Sequence, residues 1–309
     1  MRISRLPLTQ LAASAVTIGS FDGVHLGHQK IIQQLVASAK QKGLLSVVVT
    51  FEPLPREYLN SKRAPARLSS LVDKAQKLAQ LGVDQLVVLP FNERLRSLSA
   101  EQFVQQVLLD ALNAQWIQVG DDFRFGADRK GNIDFLRHYL RPYDFDVVDM
   151  PSFCVDQERI SSTLIRQLLA AGEMQQAEKY LGNAYSLSGR VIYGRQLGRN
   201  IGVPTANLLL PHNRLTTDGV FAVSSMIDGQ KYYGVANLGP KPTVNDARNW
   251  LEVHFFNLSA NLYGKRLCIQ LHKRLRAIQT FDNLDALKTQ IQCDINAANR
   301  WFEQTTEVN

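Results

Sequence analysis

Residues 17–32 read TIGSFDGVHLGHQKII, and this stretch determines how the first half of the chain is organised. Its apolar beginning predicts a buried strand over residues 15–20, and apolar residues spaced by three and four predict a helix over residues 28–41. A strand that enters a helix through a short turn is the repeating unit of a parallel sheet. We therefore expect further strand–helix units downstream.

The alternation of strands and helices continues to about residue 150. Further strands are predicted over residues 44–51, 85–91, 116–120 and 145–150, and further helices over residues 69–81 and 99–113. Ser99 and Gln102 have the spacing of a capping box at the start of the last of these helices. This order predicts an α/β fold that begins with a doubly wound parallel sheet, whose ligands bind at the carboxyl ends of the strands.

The pattern changes after Gly182, where two short helices predicted over residues 162–171 and 173–181 come to an end. Turn residues then separate short stretches of alternating hydrophobicity, which are typical of antiparallel strands. The strand candidates are residues 186–193, 219–226, 232–239, 250–256 and 266–273. Asp228 and Gly229 predict a type I′ hairpin turn between two of them.

Helical periodicity returns over residues 283–303, so the second part of the chain is predicted to be a small antiparallel β-barrel followed by one C-terminal helix. With 309 residues the chain exceeds the usual size of one domain. We expect two domains, over residues 1–182 and 183–309. The hydrophobic content of 45% is sufficient for a core in each of them.

Composition and charge narrow the classes of partner. No apolar run approaches the ~18 residues of a membrane span, so we expect no membrane partner. The net charge is +7, with +2 over residues 1–182 and +5 over residues 183–309, and the densest basic cluster is the short HKRLR at residues 272–276. Nucleic-acid surfaces are usually longer and interleaved with aromatic residues, so we expect nucleotide-like small substrates and no nucleic acid. The oligomeric state is left open.

The cysteines indicate the compartment. Cys154, Cys268 and Cys293 are odd in number, lie far apart and lack CxxC spacing. Neither a disulfide framework nor a zinc ribbon is expected from such a pattern. A reducing compartment, the cytoplasm, is therefore the predicted location.

His25 and His28 stand at the turn between the first strand and the first helix. In a doubly wound sheet this turn overlies the ligand crevice, where the unpaired N–H groups of a helix start favour phosphate. Gly19, Gly23 and Gly27 allow the backbone to approach a ligand closely. Two imidazole donors here suit stabilisation of the charge that develops on an attacked phosphoryl group. A metal-bound pair and two structural histidines are the alternatives.

A second candidate constellation is ISSTLIR at residues 160–166. Ser161, Ser162 and Thr163 lie at a predicted helix start, with Arg166 one turn further on. Hydroxyls, helix N–H groups and a guanidinium together suit the binding of a polyphosphate. Alone, such a run is usually a helix N-cap, and the histidine motif in the same predicted domain is what favours the phosphate interpretation.

A glycine- and arginine-rich stretch, GRQLGRNIGVPTAN, occupies residues 194–207 and matches neither the P-loop nor the dinucleotide-binding fingerprint. Thr205 and Asn207 offer oxygen ligands of the kind that Mg²⁺ prefers beside phosphate, although PTAN alone also fits a turn entering a strand. In WLEVHFF, Glu252 alternates with apolar residues and faces away from the core. A solvated side chain and a functional carboxylate are both consistent with that position.

Four motifs of the first part resemble those of bacterial bifunctional riboflavin kinase/FMN adenylyltransferases, also called FAD synthetases. They are TIGSFDGVHLGHQ, VTFEPLPREYL, VGDDFRFG and ISSTLIR. The adenylyltransferase half of that family is a Rossmann-like HxGH nucleotidyltransferase. The resemblance implies that His25 and His28 stabilise the α-phosphate of ATP while the FMN phosphate displaces pyrophosphate. It further implies nucleotide binding by Gly19, Phe21, Gly27, Ser161, Ser162, Thr163 and Arg166, and flavin binding by Asp122, Phe123, Arg124 and Phe125.

Two aspects of this resemblance bear on individual side chains. Phe123 and Phe125 are expected to line a flavin or adenine pocket, and core aromatics are the alternative for each. The family often has a histidine where this chain has Leu54, so any ATP contact from that histidine is missing here.

The second part of the chain resembles the riboflavin kinase domain of the same family. The stretches that carry this resemblance are VIYGRQLGRNIGVPTANL, GVFAV, GVANLGPKPTV and LEVHFF followed by LYGK. The resemblance implies that Thr205 and Asn207 bind Mg²⁺ and nucleotide phosphate and that Gly198 contacts the nucleotide. It also implies that Glu252 is the base that takes the proton from the ribityl 5′-hydroxyl of riboflavin. Ile278 stands where the family's LRxExxF stretch has an acidic residue, since this chain reads LRAIQTF, so contacts from that stretch to riboflavin or ADP are not expected.

The leading hypothesis is a bifunctional enzyme that phosphorylates riboflavin to FMN and then adenylylates FMN to FAD. Its partners are riboflavin, FMN and ATP, and its cofactor is Mg²⁺ with ATP. An enzyme that retains one of the two activities is the second hypothesis, because of Leu54 and Ile278. A flavin-binding carrier or regulatory protein is the third, against which the presence of both a base and a phosphate clamp argues.

Overall fold

The computed structural model describes residues 1–5, 11–151, 153–194, 202–211, 214–240 and 249–306. The chain divides into two compact units, Met1–Pro65 with Leu71–Ser161 and Ala66–Ser70 with Ser162–Asn309. The domain boundary expected after Gly182 stays a prediction. None of the helices in the described ranges is both long enough and apolar enough to cross a bilayer.

The first unit contains a six-stranded parallel sheet. Its strands are β1 (Arg2–Arg5), β2 (Ser14–Ile18), β3 (Leu45–Glu52), β4 (Gln85–Pro90), β5 (Ala114–Gly120) and β6 (Asp146–Met150). They are arranged in the order β1-β4-β3-β2-β5-β6, and every neighbouring pair is parallel. The sheet predicted from the alternating strand–helix pattern is confirmed.

Helices connect these strands. They are α1 (Leu26–Lys42), α2 (Pro55–Leu59), α3 (Leu71–Gln80), α4 (Glu93–Arg96), α5 (Ala100–Phe103) and α6 (Ile133–Leu140). The capping box at α5 is confirmed, because Ser99 Oγ accepts from the Gln102 N–H at 3.1 Å and Gln102 Oε1 accepts from the Ser99 N–H at 2.9 Å. Beyond α5 the chain continues as a π-helix over Val104–Ala111 instead of the regular helix that was predicted. A two-stranded hairpin, β7 (Cys154–Val155) and β8 (Glu158–Arg159), lies near the end of the unit.

Strand β1 was not predicted from the sequence. It pairs with β4 at the edge of the sheet, and its single apolar side chain, Ile3, is 60% exposed between Arg2 and Ser4. An edge strand with one apolar residue has too little hydrophobic alternation to be recognised.

The second unit contains a closed antiparallel barrel. The helices and strands of this unit are α7 (Ser162–Ala171), α8 (Met174–Leu181), β9 (Tyr185–Ile192), β10 (Ala206–Leu209), β11 (Gly219–Ile227), β12 (Gln230–Pro240), β13 (Asn249–Phe255), β14 (Arg266–Arg276) and α9 (Leu284–Thr306). The strands close in the order β10-β13-β12-β11-β14-β9, with β9 paired to β10. The predicted barrel with a C-terminal helix is confirmed.

Local sequence signals explain how the barrel is formed. Asp228 and Gly229 both have positive φ, 49° and 85°, and Ile227 pairs with Gln230, as a type I′ turn requires. The apolar face of α9 is buried against the outside of the barrel, where Ala298 and Phe302 belong to one core cluster with Val220, Ala222 and Val235. The barrel therefore has apolar side chains on both faces of these strands.

Candidate active sites

The two histidines of the HxGH motif lie at the N-terminus of α1 with their rings stacked. His25 is the N-cap residue, and its Nδ1 accepts a hydrogen bond from the backbone N–H of His28 at 3.3 Å. The ring centroids are 3.6 Å apart and the ring planes differ by 18°. Phe21 packs edge-on against His28, with 5.2 Å between the ring centroids. This geometry holds both imidazoles at the helix end that attracts anions.

The pKa of His28 is held well below its ordinary value. Burial is the largest cause, and the charges of His25 and Lys74 act in the same direction. The Nδ1 atom of His28 is buried and has no hydrogen-bond partner among the described residues. His28 is therefore neutral at neutral pH and offers one N–H to a ligand. A buried polar atom without a partner is unusual outside functional sites.

Close approaches explain why glycines surround the motif. Gly23 has a φ of 83°, in the region that favours glycine. A Cβ on Gly27 would lie 3.3 Å from the His25 ring, and a Cβ on Gly19 would lie 3.2 Å from the Phe21 ring. Both contacts are tighter than side chains normally make, so the glycines preserve the positions of the two rings.

A lysine that the sequence analysis missed lies next to this motif. Lys74 on α3 is buried, and its Nζ donates to the backbone oxygen of Ser20 at 2.6 Å. The helical spacing of α3 puts Lys74 on the same face as Leu71 and Leu78, which pack in the core. A lysine on an apolar helix face is the sequence signal that could have identified it.

The expected flavin loop, residues 122–125, contains both exposed and buried members. Asp122 lies 3.3 Å from the guanidinium of Arg159 on β8, and Arg124 is exposed. Phe125 is buried between Phe103 and Phe135, with ring centroids 5.3 and 5.9 Å away. This environment favours the core alternative for Phe125. Phe123 is half-buried against the Phe125 ring at 5.4 Å, and its flavin role stays a prediction.

An aromatic group lies at the carboxyl ends of β3 and β4, where a parallel sheet binds its ligands. Phe91 packs edge-on against Phe51 and Tyr58, with centroid distances of 5.8 and 5.5 Å. Tyr58 and its neighbour Leu59 are exposed. Leu54, at the position where the family often has histidine, is buried at the start of α2 and makes no polar side-chain contact there.

The ISSTLIR residues lie where the helix was predicted. Helix α7 begins at Ser162, so Ser162 and Thr163 occupy its first turn and Ser161 precedes it. The Arg166 Nε donates to the backbone oxygen of Ala66 at 2.6 Å, which fixes the guanidinium within the second unit. The predicted joint action of these residues with the HxGH histidines was not tested and stays a prediction.

Strand register, not sequence proximity, forms the constellation of the barrel. Asn207 on β10 pairs with Glu252 on β13, and Glu252 pairs on its other side with Asn237 on β12. Directly paired residues point to the same face of a sheet, so the three polar side chains are neighbours. Leu208 and Leu251, one position along each strand, are buried on the opposite face.

The PTAN segment is held in place by several contacts. Asn207 is 6% exposed, and its Nδ2 donates to the backbone oxygen of Thr205 at 3.4 Å. A Cβ on Gly194 would lie 2.6 Å from the Asn207 side chain, so only glycine permits this approach. The Nδ1 of His254 donates to the Pro204 oxygen at 2.9 Å and ties PTAN to β13.

A cavity of about 600 Å³ opens beside PTAN. Its lining includes Val191, Thr205, Val253, Leu262 and Tyr263, and its walls expose polar and apolar surface in about equal measure. The volume lies in the range of small-molecule sites. The predicted nucleotide contact from Gly198 falls outside the described residues.

The barrel residues also suit magnesium. The Thr205 hydroxyl and the Asn207 amide are hard oxygen donors, and the close approach of Gly194 confines the amide. Within the described ranges, no group of three or more His, Cys, Asp or Glu side chains could hold an ion by itself. The donor set therefore fits an ion that completes its coordination with phosphate and water, as Mg²⁺ usually does.

A histidine pair at a helix start in one unit, and Thr205, Asn207 and Glu252 in the other, are side chains of the kind that ATP-dependent transferases use. Two family models agree with this class: residues 8–164 match FAD synthetase and residues 181–302 match riboflavin kinase. The chain belongs to the bifunctional riboflavin kinase/FMN adenylyltransferase family. Its two activities are riboflavin kinase and FMN adenylyltransferase, and ATP is the donor that both domains use.

Individual relatives are similar to this chain over more than nine tenths of its length. A bifunctional riboflavin kinase/FMN adenylyltransferase from Pseudomonas fluorescens is 46% identical over 91% of this chain and 91% of its own length. The enzyme of that description from Haemophilus influenzae is 42% identical over 94% of this chain and 95% of its own. A crystal structure described as a macrolide-efflux protein from Streptococcus pneumoniae shares the fold, with a TM-score of 0.79 and 32% identity over 92% of this chain and 93% of its own.

Proposed function

We propose that the HxGH histidines of the sheet unit serve FMN adenylylation and the Asn207–Glu252 pair of the barrel unit serves riboflavin phosphorylation, and that FMN made at the barrel site is the substrate at the HxGH site. The observation that supports this proposal is that each unit contains its own group of polar side chains from the predicted sites. These are the stacked histidines at α1 and the Asn207–Glu252 pair in the barrel. Riboflavin, FMN and ATP are the partners we propose.

In the barrel unit, the ribityl 5′-oxygen attacks the γ-phosphorus of ATP and ADP leaves. Glu252 takes the hydroxyl proton as the new P–O bond forms, for which its carboxylate must lie within hydrogen-bonding reach of riboflavin. Thr205 and Asn207 bind the phosphates together with Mg²⁺, which neutralises phosphate charge when bound. The cavity that Thr205 lines suits the adenine base, because its apolar side chains can pack on the ring while its polar groups can bind the ring nitrogens.

In the sheet unit, a phosphate oxygen of FMN attacks the α-phosphorus of ATP. The new P–O–P bond forms as the bond to the β-phosphate oxygen breaks, and pyrophosphate leaves. His25, His28 and the N–H groups at the start of α1 donate hydrogen bonds to the α-phosphate oxygens. The exposed Tyr58 and Leu59 beside Phe91 offer an apolar surface for the flavin ring.

The location we infer is the cytoplasm. All three cysteines are unpaired and exposed, a state that a reducing compartment maintains.

A product time course tests the scheme. The purified chain is incubated with riboflavin, ATP and MgCl₂, and flavins are separated by chromatography at intervals. We expect FMN to rise first and FAD to follow, with one pyrophosphate released for each FAD. A matched incubation with EDTA in excess of Mg²⁺ is expected to stop both steps. Accumulation of FMN without FAD, or an inability to use riboflavin, would reduce the enzyme to one activity.

A further inference from the structure

Helix α3 contains a buried lysine with no place in the scheme above. Lys74 is 3% exposed, and it lies in the middle of a helix whose Ala75 and Leu78 are core residues. Burying an ammonium group is costly unless hydrogen bonds compensate for the lost water. A buried lysine therefore calls for a specific reason at this position.

The contacts of Lys74 point to the loop that precedes the HxGH histidines. Its Nζ donates to the Ser20 backbone oxygen at 2.6 Å and to the Thr50 Oγ1 at 3.1 Å. The Thr50 hydroxyl itself donates to the Ser20 oxygen at 3.3 Å, so the three groups form one closed network. One turn further along α3, the Lys77 Nζ donates to the Gly23 backbone oxygen at 3.3 Å. Helix α3 thus holds both ends of the loop over residues 20–23.

We propose that Lys74 is a positioning residue for adenylyl transfer, which fixes this loop and keeps a positive charge behind the histidine pair. The proposal rests on the proposed function of His25 and His28. The loop carries Phe21, whose ring packs against His28, so the position of the loop determines the position of the catalytic ring. A charge that is already fixed before the reaction requires no reorganisation when negative charge develops on the α-phosphate.

Electrostatics supports the same role. The groups that lower the pKa of His28, after burial, are His25 at the start of its own helix and Lys74 on α3. Asp22, which is buried in the same loop, and Lys77, which donates to Gly23, are further charged residues of this loop and of α3. Removing the Lys74 charge therefore favours the protonated form of His28 and raises its pKa. A purely structural brace would not have this effect.

Three substitutions separate the charge of Lys74 from its hydrogen bonds. Lys74→Gln keeps a donor and removes the charge, whereas Lys74→Arg keeps the charge. Lys77→Gln is the matched control, since Lys77 holds the same loop from the same helix, whereas the charges that lower the pKa of His28 are those of His25 and Lys74. For each variant, kcat and KM are measured for FMN adenylylation and for riboflavin phosphorylation. The pKa of His28 is followed by NMR of the histidine rings, and thermal unfolding reports folding.

We expect Lys74→Gln to lower the adenylylation kcat by about 10²-fold with little change in KM, because the lost charge acts on the transition state. The pKa of His28 is expected to rise in Lys74→Gln and to stay low in Lys74→Arg and Lys77→Gln. Phosphorylation of riboflavin is expected to be unchanged in all three. A folded Lys74→Gln variant with wild-type kcat would overturn the proposal, and so would a lowered kcat without any rise in the pKa of His28.

A second variant decides the matter if Lys74→Gln does not fold. Thr50→Val preserves shape and charge but removes one hydrogen-bond acceptor of Lys74. A severalfold lower adenylylation kcat in folded Thr50→Val supports the positioning role, and a wild-type kcat contradicts it. If the wild-type chain did not adenylylate FMN, the proposed function itself would be contradicted. This outcome differs from failure of the Lys74 proposal, in which the wild-type chain is active and the variant keeps the wild-type kcat.

Discussion

The two candidate sites of this chain are constructed in different ways. The HxGH site is local: His25 caps α1, His28 follows within the first turn, and one hydrogen bond and one ring stack relate them. The barrel site depends on strand pairing, because Asn207 and Glu252 become neighbours through the register of β10 and β13. A local site requires one turn to form, whereas the barrel site requires the sheet to close in the correct register.

The sites also differ in their electrical environment. The HxGH rings are shielded, a buried lysine lies close by, and the pKa of His28 is strongly lowered. Glu252 is half-buried on a strand face, beside the exposed Asn237. A substitution in either site should therefore affect mainly the reaction that this site is proposed to catalyse. The predictions that follow test this division, beginning with the largest effect.

The largest effect is expected for Glu252→Gln. The amide keeps the size of the side chain but cannot accept the hydroxyl proton, and loss of a general base lowers a rate by up to about 10⁴-fold. Phosphorylation of riboflavin is measured by chromatography, and formation of FAD from supplied FMN in the same preparation is the control. We expect the control reaction to be unaffected. Kinase turnover near the wild-type rate in this variant would contradict the role of Glu252 as the general base.

A smaller but still large effect is expected for His28→Ala. Loss of one transition-state donor lowers the rate by about 10²–10³-fold, here in FMN adenylylation. Riboflavin phosphorylation should be nearly unchanged, since distant sites act independently. Both rates are measured on one preparation. A parallel loss of both activities would contradict the division into two independent sites.

The contrast between the sites also explains what the sequence could predict. The HxGH histidines were recognised because their spacing is a local pattern, and α1 and β2 flank them as expected. The fold class was predictable for the same reason, since periodicity and turn signals such as Asp228 and Gly229 act over short distances. Glu252 was assigned only through the family resemblance, because an acidic residue in an alternating strand is usually solvated.

Other features depended on distant contacts and were missed. Lys74 belongs to no recognisable motif, and its hydrogen-bond partners Ser20 and Thr50 come from other parts of the chain. Edge strand β1 is recognisable only through its pairing with β4. The pairing of Asn207 with Glu252 requires the register of the barrel, which turn signals alone do not fix between strands joined by long connections.

The third prediction concerns the stability on which the barrel site depends. Arg276 on β14 holds Asp294 on α9 through two hydrogen bonds of 2.8 Å, and both side chains are largely buried. Asp294→Asn leaves a buried guanidinium without its counter-charge, which typically costs about 3 kcal/mol. We expect the free energy of unfolding of the barrel unit to fall by that amount in urea denaturation.

A surface pair provides the control for Asp294→Asn. Lys265 and Asp228 are 2.6 Å apart, but both are well exposed. Asparagine suits the type I′ turn at position 228, so Asp228→Asn tests the charge alone and should change stability by less than about 1 kcal/mol. Equal effects of the two substitutions would contradict the importance of the buried pair.

The smallest effect is a pH dependence of the barrel unit. His272 on β14 stacks on Trp301 of α9 with 5.5 Å between ring centroids, and its Nε2 lies 2.8 Å from the Ser224 Oγ. Burial, with a smaller contribution from Lys231, lowers the pKa of His272 to about 4. The unfolded chain binds a proton near pH 6.5, whereas the folded barrel resists it until about pH 4. Stability is therefore complete above pH 6.5 and is lost as the pH falls toward 4.

After discounting for the partial exposure of the ring, this loss is about 2 kcal/mol. Urea denaturation at pH 7 and at pH 4.5 measures it, and His272→Asn, which cannot titrate, should flatten the difference. Glu178, whose pKa burial raises, acts in the opposite direction and is present in both proteins, so the comparison isolates the histidine. The same substitution at the exposed His138 of the sheet unit should leave the pH dependence of the barrel unchanged. An equal slope in wild type and His272→Asn would mean that acid acts on the barrel through other groups.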